Sequence, residues 1–179
     1  MRLLINKQLV VVNKAADTTA LQYLRSIGLT GTKEGCASGD CGACTVMVGE
    51  AKNGKIWFKT VNACIVPIGQ LAGTHIVTVE GLSDGSELHP VQDEMIACHA
   101  SQCGFCTPGF VMSLAALVEN SESATIETVQ QGISGNLCRC TGYRPIVQAG
   151  MNALSQTYEP RWQDASVLEG IKPYAQSSV

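Results

Sequence analysis

Cys36, Cys41 and Cys44 stand at C-x₄-C-x₂-C spacing, with Gly35, Gly39 and Gly42 set among them. Followed by a distant fourth cysteine, this spacing suits a [2Fe–2S] core held by four thiolates. Cys64, in Val61-Asn62-Ala63-Cys64-Ile65, is the only other cysteine in the first half of the chain. Such a core with its thiolates carries a net charge of about −2, and about −3 after accepting one electron. Backbone N–H groups aimed at the sulfurs make that charge tolerable and tune the potential. Glycines let the backbone wrap closely and reach positive φ, so they belong to the site as much as the cysteines do.

A second set of four lies further on: Cys103-Gly104-Phe105-Cys106 and Cys138-Arg139-Cys140. Structural zinc is a poor alternative at the first set, because zinc sites usually pair two C-x₂₋₄-C knuckles. A Rieske centre needs two histidines beside two cysteines, and His75, His89 and His99 lie in no such motif. They are expected at the surface or in packing. A disulfide framework is disfavoured by the odd count of nine cysteines and their tight clustering. Cys98 is left over, and on an apolar helix face it reads as a small buried hydrophobe.

Bulk properties bound the rest. A chain of 179 residues holds one ordinary domain or two small ones. With 45% hydrophobic and 15% charged residues it is a folded globular type. No apolar run approaches the roughly 18 residues that would span a membrane. Met1-Arg2-Leu3-Leu4-Ile5-Asn6-Lys7 turns polar too soon for a secretory segment. Together with metal ligation, this predicts a reducing, cytoplasmic setting. The charge of −3 is mild, and no basic stripe points to nucleic acid.

The elements that must position the cysteines follow from periodicity. Leu3–Ile5 and Leu9–Val12 are short strands around an Asn6-Lys7-Gln8 turn. Asp17 and Thr18 offer capping oxygens to a helix through Leu21 and Leu24, which Gly28 stops. Strands are predicted at Thr45–Val48, at Ile56–Val61 after an Asn53-Gly54 turn, and at Ile76–Val79. After the connector the period becomes helical. Pro90 opens one helix, with Val91, Met95 and Cys98 on its apolar face. Thr107-Pro108, a capping hydroxyl followed by proline, opens a second, with Phe110, Val111, Leu114, Leu117 and Val118 inward. Ile126, Val129 and Ile133 mark a third. A fourth begins near Pro145, capped by Thr141, with Ile146, Val147, Gly150 and Leu154 inward. In an up-down-up-down bundle both cysteine links fall at one end, where two helix N-termini would face one anionic cluster. The predicted division is 1–81, a connector at 82–89, a helical unit at 90–157, and an extended tail or linker at 158–179.

Gly31-Thr32-Lys33-Glu34-Gly35-Cys36, Gly39-Asp40-Cys41-Gly42-Ala43-Cys44-Thr45-Val46, Gln102-Cys103-Gly104-Phe105-Cys106-Thr107-Pro108-Gly109 and Gly135-Asn136-Leu137-Cys138-Arg139-Cys140-Thr141-Gly142-Tyr143 together resemble the iron–sulfur portion of the molybdenum hydroxylases. That is the xanthine dehydrogenase/aldehyde oxidase family, and the resemblance covers about residues 1–157. Within it, Thr32–Cys36 and Gly39–Cys44 look most like xanthine dehydrogenase. The implied fold is α+β: an N-terminal plant-type ferredoxin-like (β-grasp) [2Fe–2S] domain, then a four-helix-bundle [2Fe–2S] domain.

The resemblance implies a flow of electrons from a molybdenum–pterin centre in a large partner. They would pass through the cluster of Cys103, Cys106, Cys138 and Cys140, then that of Cys36, Cys41, Cys44 and Cys64. FAD in a further subunit or domain would follow, then NAD⁺. Gln102 and Cys140 match positions that touch the pterin. A hetero-oligomer is therefore expected, with no catalytic acid, base or nucleophile in this chain. The substrate would be a purine such as xanthine, or an aldehyde, N-heterocycle or CO in other members. A flavin domain does not fit in 179 residues, so the chain is expected to be a small subunit or the first piece of a longer polypeptide. Two other classes compete: a free-standing electron carrier, which stronger acidic patches would favour, and a redox-sensing cysteine protein, for which spare Cys98 is thin support.

Overall fold

In Leu3-Leu4-Ile5, Val46-Met47-Val48 and Ile76-Val77 successive side chains of a strand point to opposite faces, and all of them are buried. A sheet built from such strands must be covered on both sides. The computed structural model, which describes residues 1–83, 85, 87–163 and 165–171 (without the side chain of 165), shows how this is done. Strands β1 (Arg2–Ile5), β2 (Gln8–Val11), β3 (Thr45–Lys52), β4 (Lys55–Asn62) and β5 (His75–Val77) form one sheet in the order β2-β1-β5-β3-β4. β1 and β5 run parallel, and the other neighbours are antiparallel. Asn6-Lys7 and Asn53-Gly54 make the two hairpin turns, all four at positive φ, which matches the twist of the flanking strands.

Helix α1 (Ala20–Ser26) covers one face, where Ala20, Leu21 and Leu24 meet Leu3, Ile5, Val46, Val48 and Ile76. The other face, with Leu4, Met47, Phe58 and Val77, shares a core with the helical half. That half comprises α2 (Pro90–Ala97), α3 (Thr107–Glu119), α4 (Ile126–Gly132) and α5 (Arg144–Leu154). α3 lies in the middle, touching β3 and β4 on one side and α2, α4 and α5 on the other. Residues 109–116 are accordingly buried all round. The α+β architecture, a ferredoxin-like sheet followed by four helices, is thus present, with the two units packed on one continuous core.

Several local expectations are corrected. Thr19, not Asp17 or Thr18, caps α1: its hydroxyl accepts the Gln22 N–H at 3.2 Å, and the Gln22 side chain answers the Thr19 N–H. The Thr18 carbonyl is already taken by the Ile68 N–H at 2.8 Å. β5 ends at Val77, and Val79–Gly81 is a 3₁₀ turn. Thr107 does not cap α3; Cys106 holds the cap position, and the Thr107 hydroxyl pairs with Ser101 at 2.8 Å. Thr141 does not cap α5 either, because Tyr143 stands there in a left-handed conformation with no side-chain cap. Ile126 is exposed, while Leu117, Val147 and Leu154 are half-buried. Of the histidines, His75 and His89 are buried and His99 is exposed.

The tail is not extended where it is described. Trp162 is buried edge-on against Phe58 and His75, at centroid distances of 5.7 and 6.2 Å. Helix α6 (Ala165–Gly170) follows and touches β1, and residues 172–179 lie outside the described residues. Glu119, buried at the end of α3, gathers this region. Its carboxylate accepts from Tyr158 OH at 2.7 Å, the Arg161 N–H at 3.1 Å and His89 Nε2 at 3.2 Å. His89 Nδ1 accepts the Val91 N–H, so the ring proton sits on Nε2 and points at Glu119. The Arg161 guanidinium holds the Leu82 and Leu88 carbonyls, closing the connector.

β4 is an edge strand, and an open edge is a template for unwanted pairing. Two side-chain amides occupy it. Asn120 bonds the Phe58 N–H and C=O at 2.9 and 2.7 Å, and Gln163 does the same for Ile56 at 2.9 and 2.7 Å.

Candidate metal centres

α1 positions both arms of the first cysteine set. The first N–H groups of a helix have no partner within it; here the Ala20 and Leu21 N–H groups bond the carbonyls of Val66 and Ala63, which flank Cys64. In the last turn, Arg25 donates to the Thr30 and Thr32 carbonyls at 3.2 and 3.0 Å, fixing the approach to Cys36. Cys44 directly precedes β3, and its carbonyl accepts the Ala63 N–H at 3.2 Å. The Asn62 amide holds the Gly39 carbonyl at the loop tip.

The four thiols come together as two pairs. Cys36 and Cys41 exchange N–H···S bonds of 3.4 Å, and Ser38 N–H adds one of 3.5 Å to the Cys36 sulfur. Cys44 lies within hydrogen-bonding reach of Cys64, and the Cys41 thiol is close enough to act on it. The second set pairs likewise, with Cys103 and Cys140 sulfurs 3.7 Å apart and Cys106 beside Cys138. Among the described residues no three His, Cys, Asp or Glu side chains converge as a single ion would require. Two thiolates for each of two irons match this arrangement.

Electrostatics differ within each set. Hydrogen bonds from Ser38 and the Cys41 N–H hold exposed Cys36 down at about 5. Burial pushes Cys44 and Cys106 up to about 12. At Cys138 burial pushes upward, but hydrogen bonds from Thr141 and the Cys140 N–H outweigh it, and the net shift is downward. A coordinating thiol is deprotonated outright, so binding iron would release the protons of Cys44 and Cys106 to solvent, while the N–H donors offset the negative charge left on the sulfurs. The residues present fit a [2Fe–2S] group at each place.

The two sets meet. Leu137 N–H donates to the Cys41 carbonyl at 3.0 Å, joining a residue of one set to the neighbour of a residue of the other. Asn136, buried, donates to the Gly42 carbonyl at 3.0 Å and Thr45 Oγ1 at 3.1 Å, and accepts from Ser113 Oγ at 2.7 Å. Sequence reasoning quoted Asn136 but gave it no role; the signal was a polar residue two places before Cys138 and next to glycine. Only glycine permits this approach, since a Cβ on Gly109 would lie 2.1 Å from the Gly42 oxygen. Gly109→Ala is expected to cost about 3 kcal/mol, the upper range for overpacking, because a backbone carbonyl must move. In a chain of this size that lowers the melting temperature by roughly 6–12 °C. Gly135→Ala, with open space at its Cβ, should stay within about 0.5 kcal/mol of wild type. Thermal melts of the two variants side by side check this.

Cys106 at the cap position of α3 puts one helix N-terminus at the second set, as expected. α5 begins only after a loop that Tyr143 closes. Gln102, Cys103 and Cys140 are all exposed on the same rim. Cys98 is half-buried, with Asn152 Nδ2 3.6 Å from its sulfur, and stands apart from both sets.

Two family models match the chain: a 2Fe-2S iron-sulfur cluster binding domain over residues 3–68, and a [2Fe-2S] binding domain over residues 78–151. Xanthine dehydrogenase of Oryza sativa subsp. japonica is 51% identical over 78% of this chain and 10% of its own length. Aldehyde oxidase 1 of Macaca fascicularis is 46% identical over 80% of this chain and 11% of its own. The chain thus spans about a tenth of the length of the curated relatives it matches. Among solved structures, a chain of quinoline 2-oxidoreductase from Pseudomonas putida 86 superposes with a TM-score of 0.74 and 37% identity, covering 86% of this chain and 93% of that one. Aldehyde oxidoreductase from Desulfovibrio gigas gives 0.75 and 34%, covering 97% and 18%. Two [2Fe-2S] binding domains in this order, on this fold and at these identities, place the chain in the iron–sulfur portion of the molybdenum hydroxylase family, that of xanthine dehydrogenase and aldehyde oxidase.

Proposed function

We propose that this chain is the electron-transfer component of a xanthine dehydrogenase-like molybdenum hydroxylase acting on purines. The observation that carries the reading is the pair of four-cysteine sets whose loops are hydrogen-bonded to each other through Leu137 and Cys41. Cys36, Cys41, Cys44 and Cys64 hold one [2Fe–2S] cluster, and Cys103, Cys106, Cys138 and Cys140 the other. Each such group supplies one-electron chemistry when bound. The chain's own residues position the groups, supply N–H donors to their sulfurs and bring them close together.

Electrons enter from a molybdenum–pterin centre in a large partner, at the rim where Gln102 and Cys140 are exposed. They leave by the first set toward FAD in another subunit or domain. The hydrogen bond that ties the loops of the two sets together favours this relay, and a lone carrier would have no use for the second set. The chain is also similar to an aldehyde oxidase and to a quinoline 2-oxidoreductase, so an aldehyde or N-heterocycle is the second reading of the substrate.

Iron and sulfide analysis of the purified chain is expected to give about four irons, two per cluster, and reduction should develop two distinct electron paramagnetic resonance signals. One iron pair, or zinc, would sink the proposal. Assay of the complex it co-purifies with, on xanthine against an aldehyde, separates the substrates.

A further inference from the structure

The loop from Cys138 to Tyr143 carries a closed ring of hydrogen bonds. Thr141 N–H reaches Cys138 Sγ at 3.5 Å, and Thr141 Oγ1 lies 3.1 Å from the same sulfur. Tyr143 N–H donates to Thr141 Oγ1 at 3.2 Å, and Cys138 N–H donates to Tyr143 OH at 2.9 Å. A hydroxyl has one proton to give. With the Tyr143 N–H already donating to its oxygen, and a metal-bound thiolate having no proton of its own, that proton must point at Cys138 Sγ.

The fold forgoes ordinary uses of these groups to keep this arrangement. Thr141 stands two residues before the cap position of α5, its hydroxyl is held between Cys138 Sγ and the Tyr143 N–H, and α5 has no side-chain cap. Tyr143 is held at φ 67°, a region that suits few side chains other than Asn and Asp. Strain of this kind persists where the surroundings over-determine it and clusters at functional positions. The Tyr143 ring is fixed edge-on to Phe110 at 6.0 Å, so its hydroxyl stays over the Cys138 N–H.

We propose that Thr141 is a positioning residue that sets the reduction potential of the second centre, by aiming a hydroxyl at the Cys138 sulfur with Tyr143 orienting it. This rests on the reading that Cys138 is a ligand. Donors to a ligand sulfur favour the reduced, more negative state and so raise the potential. Valine replaces the hydroxyl with a methyl group of similar shape and leaves the Thr141 N–H in place.

The test is a redox titration of the iron-loaded full chain, followed by electron paramagnetic resonance. Thr141→Val should lower the reduced-to-oxidised ratio of the second centre roughly tenfold at fixed potential, about 59 mV for a one-electron couple. The first centre should not move, and Thr141→Ser should restore the second. An unchanged midpoint with iron retained, an equal shift of both centres, or a serine variant that behaves like valine would each overturn the inference. If the valine variant does not load its second iron pair, the wild type decides. After transfer to D₂O, double resonance on the reduced second centre should show a strongly coupled exchangeable proton, and its absence rejects the idea. A wild-type chain with no second signal would instead refute the ligand assignment and leave nothing for Thr141 to tune.

Discussion

Cys44→Ser is expected to lose one iron pair and one paramagnetic signal while keeping the other, and Cys138→Ser to do the converse. A serine hydroxyl is far harder to ionise than a thiol and is a harder ligand, poorly suited to iron–sulfur binding. The argument for selectivity is structural. Cys44 is anchored by β3 and by the Ala63 N–H bond to its carbonyl, and the backbone there does not depend on iron to stay in place. Across the junction, Asn136 and Leu137 hold the carbonyls of Gly42 and Cys41, not the thiols. Loss of the first cluster therefore leaves the second loop its partners. Iron content should fall to about half in each variant, two of four irons. Loss of both signals from either variant would show that assembly at one site depends on the other.

Glu119→Ala is expected to be the most destabilising single change away from the cysteines. It strands His89 Nε2–H, the Tyr158 hydroxyl and the Arg161 N–H in a buried place. Leaving three buried neutral donors without an acceptor costs roughly 3–5 kcal/mol, the lower part of what three separately unsatisfied groups would cost. For a chain of 150–250 residues, at about 2–4 °C per kcal/mol, the melting temperature should drop by roughly 6–20 °C. Glu119→Gln keeps one acceptor oxygen and should fall about halfway, within the range for a single unsatisfied buried donor. Circular dichroism melts of the iron-loaded chain would read both. An alanine variant melting within about 2 °C of wild type would mean that the tail and connector are held by other contacts.

The cysteine sets were legible because ligation chemistry demands fixed spacings within short segments. The strands and helices were legible because burial imposes periods of two and of 3.6 residues. Thr141 and Thr107 were misplaced as caps for a physical reason: a hydroxyl near a helix start can also bond a sulfur or another hydroxyl, and only tertiary proximity decides. The tail illustrates a different gap. Tyr158 and Trp162 stand in a stretch without periodicity, yet each is fastened by partners some 40 to 100 residues away in sequence. Large aromatic side chains seldom stay in water, and that composition was the available signal. The shared core and the Asn136 junction were invisible for the same reason. They depend on how two units face each other, which no local pattern encodes.

The amides of Asn120 and Gln163 on β4 have a consequence for the order of events on the ribosome. Synthesis runs from the N-terminus at roughly 5–20 residues per second. The sheet is complete in sequence by Val77, but both groups that occupy its edge come later, Gln163 by 86 residues. During that interval the nascent sheet presents Ile56 and Phe58 as free pairing sites, several seconds in which another nascent chain could add a strand. Aggregation during expression should therefore track the arrival of the tail, and lowering the temperature or supplying a chaperone should matter most for variants that weaken Gln163 or Trp162.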